Sequence, residues 1–158
     1  MTDLTRDEKI ARFQQSEQWL RDAIAGLSDA DLSAHPIPGE WSIREIVQHM
    51  ADGEIIAAGR LRRVLAEPTP ELAGYDAAAF GEVMHYQALP VGTAMDVFSA
   101  VRNHSVAIIE NLDAAQWNRS GIHTEYGEQN VERIVEGGGN HVEAHVNQIK
   151  GVRAALGK

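Results

Sequence analysis

The chain has 158 residues, a size suited to one compact domain, and residues 1–158 are expected to form it. Hydrophobic residues make up 44% and charged ones 23%, the composition of a globular protein rather than a disordered one. A net charge of -9 argues against nucleic acid or an anionic membrane as partner, since both need a basic surface. The absence of cysteine excludes disulfides, thiolate metal ligands and a protein thiol nucleophile. No apolar run approaches the roughly 18 residues of a membrane span. The opening stretch from Met1 to Glu8 lacks the apolar core of a secretory signal, so a cytoplasmic location is expected.

Helical periodicity dominates, and no convincing strand alternation is found. A first helix is expected from Thr5 to Leu27, with Ile10, Phe13, Leu20, Ile24 and Leu27 on one stripe. A loop carrying Pro36, Pro38 and Gly39 follows. Ser42 and Glu45 form a Ser-x-x-Glu capping box, and Trp41 and Ile46 occupy the positions of a hydrophobic staple. The second helix therefore starts there and stops at Glu67-Pro68-Thr69-Pro70. Residues 67–89 read as a long crossover with a short helix around Asp76–Val83. A third helix begins after Pro90, with Ala94, Val97, Phe98, Val101, Ile108, Ile109 and Leu112 as its buried stripe. A polar connection spans 113–127, and a fourth helix covers 128–156. The expected fold class is all-α, a four-helix bundle with a long crossover between its second and third helices.

Three histidines carry the chemistry. His141 and His145 are four residues apart, so on a helix they project only about 40° from one another. Such a pair can occupy two positions of a divalent metal, and one more histidine from a facing helix leaves a position open for water or substrate. His49 is the candidate third ligand: Ile46, His49, Gly53, Ile56 and Arg60 share one helical face, which points into the bundle. The ordinary reading of each histidine is a surface or hydrogen-bonded core residue.

Two familiar metal patterns do not match. In His-Glu-x-x-His proteases the glutamate follows the first histidine directly, whereas here the order is His-Val-Glu-Ala-His. Glu143 thus lies about 160° from both histidines and is expected to be a solvated carboxylate. A di-iron bundle would need paired Glu-x-x-His motifs, and the clear one, Glu82 to His85, falls in the crossover.

Gly53, Gly137 and Gly138 share helical faces with the proposed ligands. Three consecutive glycines, Gly137 to Gly139, should weaken the fourth helix by about 3 kcal/mol relative to alanines. The run therefore marks a helix break, a close helix contact or a cavity beside the metal. Gln148 lies within about 20° of the direction of His141 and is placed to hold a ligand imidazole in one tautomer. Asp52 and His123 are the candidates for proton transfer, against ordinary roles as a solvated helix acid and a loop-surface residue. Arg102 is either an inward anion clamp or, as its ordinary reading, half of a surface salt bridge.

The stretch Trp41-Ser42-Ile43-Arg44-Glu45-Ile46-Val47-Gln48-His49-Met50-Ala51-Asp52-Gly53-Glu54 resembles the second-helix motif of the DinB/YfiT-like superfamily. His141-Val142-Glu143-Ala144-His145-Val146-Asn147-Gln148-Ile149 is similar to that family's C-terminal motif, and the connection from Trp117 to His123 also agrees. The glycine run departs from the helix-forming residues more usual before the first C-terminal histidine. The resemblance implies a bundle binding Zn2+ or Ni2+ through His49, His141 and His145, and frequent homodimers. It also implies a small-molecule substrate, since members include S-transferases and isomerases that use bacillithiol, mycothiol or glutathione, and proteins labelled metal-dependent hydrolases. Two function classes follow: a metal-dependent enzyme using an external low-molecular-weight thiol or water, or a non-catalytic metal-stabilised binding bundle.

Overall fold

A computed structural model describes residues 4–158. Four long helices, α1 (Arg6–Ile24), α3 (Ile43–Ala66), α5 (Val91–Ile109) and α7 (Val131–Ala155), form the expected bundle. Short helices α2 (Asp29–Ser33), α4 (Ala77–Val83) and α6 (Ala114–Trp117) lie in the connections. Around the bundle, α1 packs on α7 and α5, and α3 packs on α5 and α7. No helix among the described residues is long and apolar enough to cross a membrane.

Local chemistry sets the helix starts. Thr5 accepts from the Glu8 backbone N–H while the Glu8 carboxylate accepts from that of Thr5, and Ser42 and Glu45 do the same at α3. Asp76 caps α4 through the N–H groups of Ala78 and Ala79, one residue inside the expected boundary.

The sequence carries no convincing strand alternation, yet three short strands form. A small sheet in the order β1-β2-β3 joins the crossover to the segment before α7. β1 (Glu71–Leu72) runs parallel to β2 (Ser120–His123), pairing Leu72 with His123, and β2 runs antiparallel to β3 (Gly127–Asn130). Gly121 allows the approach: a Cβ there would meet the Pro70 carbonyl at 2.7 Å. This sheet carries His123 towards the bundle.

The core falls into two apolar clusters. Leu20, Ile43, Met50, Phe98, Val142 and Ile149 belong to one, and Phe13, Leu61, Val64, Val106, Trp117 and Val135 to the other. Between them on each helix sits a polar or small residue: Ser16 on α1, Glu54 on α3, Arg102 on α5 and Gly138 on α7. Arg102 is neither an anion clamp nor a surface residue. Its guanidinium makes paired hydrogen bonds to Glu54 at 2.8 and 2.6 Å and donates to the Phe13 carbonyl and Ser16. Both charges are buried, and neutralising each other is what makes their burial tolerable.

The glycine run does not break α7, which is continuous from Val131 to Ala155. The other two expectations are met by different glycines. At Gly138 a Cβ would stand 2.6 Å from the Phe13 ring, so this residue permits the close approach of α7 to α1. At Gly137 a Cβ would meet nothing within 4 Å, and the residue lines a cavity.

Candidate metal centre

His49 comes from the buried face of α3, and His141 and His145 come from successive turns of α7. Their rings converge, with centroids 4.7 to 5.1 Å apart. One ligand atom from each of the three lies within 4.8 Å of the others, and His49 Nε2 is 3.1 Å from His141 Nε2. Two imidazole nitrogens this close must share a proton or both turn lone pairs to one cation. Small residues make the approach possible, since a Cβ on Gly53 would press on His141 Cε1 at 3.3 Å.

The rings are held neutral. Burial pushes His49 down to about 4, with the neighbouring His145 adding to the effect. Burial pushes His141 down to about 3, reinforced by His145, His49 and Arg102. His145 is also lowered by burial, opposed by its hydrogen bond to Gln148. That bond runs from His145 Nδ1 to Gln148 Oε1 at 2.9 Å, so Gln148 holds His145 rather than His141, with which it shares a direction. An amide oxygen accepts, so Nδ1 carries the proton and Nε2 keeps its lone pair. Three neutral nitrogen donors suit a borderline divalent ion such as zinc or nickel, so this donor set could hold one. His49 Nδ1 is buried with no partner among the described residues.

The carboxylates near the histidines are engaged elsewhere. Asp52 is not a freely solvated acid: it accepts a hydrogen bond from the Tyr86 hydroxyl, which with burial raises the tyrosine well above its ordinary pKa. Glu143 points away, as its angle requires, but it pairs with Arg12 on α1 rather than standing free in solvent.

A cavity of about 390 Å³ opens beside the histidines, lined by His49, Gly53, Arg60, Tyr75, His123 and His141. His123 was expected on a loop surface, yet it is 5% exposed and belongs to β2. Arg60, Tyr75 and Glu125 also reach this cavity and were not singled out as site residues from sequence. For Arg60 the signal was present, since it lies on the His49 face of α3; Tyr75 and Glu125 arrive from loops, where periodicity is silent. A second groove, lined by Trp19, Asp22, Glu143 and Arg153, lies between α1 and α7 and includes none of the three histidines.

Comparison with known proteins agrees with this architecture. The chain is 28% identical over 143 residues to an Oceanobacillus iheyensis protein named "Putative metal-dependent hydrolase OB0413", covering 90% of this chain and 82% of that one. The similarly named YfiT of Bacillus subtilis is 22% identical over 148 residues, covering 91% and 83%. The solved structure of YfiT, described as a probable metal-dependent hydrolase with an unusual four-helix bundle topology, superposes with a TM-score of 0.89 at 20% identity. That match covers 99% of this chain and 92% of YfiT. A mycothiol-dependent maleylpyruvate isomerase shares the fold at a TM-score of 0.77 and 14% identity, over 94% of this chain and 63% of that one. The model of the DinB superfamily matches residues 12–149, reaching from α1 into α7 and taking in all three histidines, and on that match the chain belongs to the DinB superfamily.

Proposed function

We propose that His49, His141 and His145 hold one divalent ion, zinc or nickel, and that the protein is an enzyme activating an external low-molecular-weight thiol. The observation that carries this reading is the convergence of three neutral imidazoles on the edge of an open cavity. A divalent ion held there supplies Lewis acidity, which lowers the pKa of a thiol or water in its open position. The chain's own residues set the conditions. Gln148 fixes the His145 tautomer, burial keeps the rings unprotonated, Gly53 lets His141 approach His49, and Gly137 leaves room for a ligand. With Asp52, Glu54 and Glu143 already paired, none of these nearby carboxylates is free as a general base, which favours a nucleophile that ionises readily. In the reaction the thiol sulfur forms a bond to an electrophilic carbon. The leaving group departs with its electron pair and the thiol proton passes to solvent.

A second reading is hydrolysis, with water in place of the thiol. It is favoured by the names of the relatives and by Glu125, a carboxylate lining the cavity. The experiment is metal analysis of untagged protein, followed by turnover assays with bacillithiol, mycothiol or glutathione and a chloronitroaromatic electrophile. The expected outcome is one ion per chain, strongly reduced in His49→Ala and His145→Ala, and turnover with one of the thiols. Full metal content in both variants defeats the ligand set. Metal-dependent ester or amide cleavage without any thiol effect selects hydrolysis.

A further inference from the structure

The cavity beside the histidines contains hydrogen-bond donors that the proposed metal site does not use. We propose that it recognises a carboxylate, borne by the thiol or by the second substrate, through His123 Nε2–H and the Arg60 guanidinium. This inference rests on the function proposed above, because it places the carboxylate beside the reacting group.

His123 provides the first observation. Its Nδ1 accepts from the Glu125 backbone N–H at 3.1 Å and faces that of Tyr126 at 3.4 Å. In a neutral imidazole an accepting Nδ1 leaves the proton on Nε2. Burial and the nearby charge of Arg60 both lower this histidine's pKa and so favour the neutral ring. Nε2 is buried, its residue lines the cavity, and it has no partner among the described residues. Buried donors are nearly always satisfied, so an unpartnered one on a residue that lines a cavity calls for a ligand or an ordered water.

Arg60 provides the second. Its Nη2 donates to the Ala73 carbonyl, which fixes the side chain, while its Nε is buried without a partner. Glu125 bears on it electrostatically but forms no ion pair with it among the described residues. The ionised side chains lining the cavity are Arg60, Arg133 and Glu125, a balance of one positive charge within a chain of net charge -9. Such a balance suits a monoanion, and hydrogen-bond donors from two different elements suit the two oxygens of a carboxylate. The Tyr75 hydroxyl, 3.3 Å from where a Gly53 Cβ would stand, belongs to a residue that lines the same cavity and also has no hydrogen bond among the described residues.

The test titrates zinc-loaded protein with 3-mercaptopropionate, 2-mercaptoethanol and propionate. Calorimetry gives the affinities, and histidine-ring 15N NMR reports the His123 Nε2–H. The mercaptocarboxylate should bind at least about tenfold more tightly than mercaptoethanol, and both carboxylates should shift the His123 signal. His123→Asn retains an acceptor for the Glu125 N–H but is too short to place a donor where Nε2–H stands; Arg60→Gln removes the charge. Both should abolish the carboxylate advantage while leaving zinc content and mercaptoethanol affinity unchanged. The advantage of about tenfold, with propionate competing against 3-mercaptopropionate, assigns the carboxylate to the thiol; no advantage, with propionate binding alongside 3-mercaptopropionate and still shifting His123, assigns it to the second substrate. A His123 response to propionate with no thiol binding leaves the carboxylate site standing and removes the thiol reading. The proposal is overturned if neither carboxylate shifts His123, if both variants keep the full advantage, or if methyl phosphate binds more tightly than propionate.

Discussion

Gln148 decides which nitrogen of His145 is free. Its Oε1 lies 2.9 Å from His145 Nδ1, while its own Nε2 donates to Glu40, and this second bond fixes the orientation of the amide. Gln148→Leu should therefore lower metal affinity about 10- to 100-fold by releasing the ring, with helical circular dichroism unchanged. Competition with a chromogenic chelator measures it. Wild-type affinity in the variant would show that His145 is oriented by packing alone.

Metal-free protein should lose stability in mild acid. Unfolded histidines take up protons near their ordinary value of about 6.5. Folded His49 and His141 resist down to about 4 and about 3, chiefly through burial. Below about 6.5 the unfolded chain thus binds more protons, so stability falls with pH until the folded rings also protonate. Above that value these groups contribute no slope. Each ring should contribute on the order of 1–2 kcal/mol of loss by pH 5. Urea midpoints between pH 8 and 4.5 measure this, and His141→Gln should flatten the profile; equal slopes in both proteins would contradict it.

The buried pair should respond asymmetrically to mutation. Glu54→Ala strands the Arg102 charge and should destabilise the protein by about 3–5 kcal/mol, whereas replacing both with Leu and Met should cost much less. Arg63 and Glu67, an exposed pair four residues apart, serve as the control and should contribute little, since solvent screens them. Chemical denaturation of the four proteins decides it; an Glu54→Ala loss as small as the control's would mean the pair is solvated.

The adjacent glycines of α7 should behave oppositely. Gly138→Ala drives a methyl into the Phe13 ring and should destabilise by about 1–3 kcal/mol. Gly137→Ala meets open space and should stabilise the helix by up to about 1 kcal/mol. It should also narrow the cavity and weaken ligand binding there. Thermal melts separate the two, and similar effects from both would show that helix propensity alone governs the run.

Much of the arrangement was legible because helices write their geometry into sequence. The capping box at Ser42, the periodic faces of α3 and α7 and the four-residue spacing of His141 and His145 are local properties. The sheet was not legible. β1 has only two residues, and β3 reads Gly-Glu-Gln-Asn, without the β-branched or aromatic alternation that marks a strand. Its pairing depends on Gly121 passing beneath the Pro70 carbonyl, a contact across 51 positions of chain that no periodicity encodes.

The sequence by itself determined the helices, their buried faces and the directions in which the three histidines leave them, because each depends on residues within a turn or two. Tertiary structure alone decided what each side chain meets. It buried Arg102 against Glu54, drew Asp52 to Tyr86 and set Gly138 against Phe13. It also brought His123 and Arg60 to one cavity wall, from a strand and a helix. Those outcomes depend on how the bundle helices and the small sheet pack together, and the partners they join lie far apart in the chain.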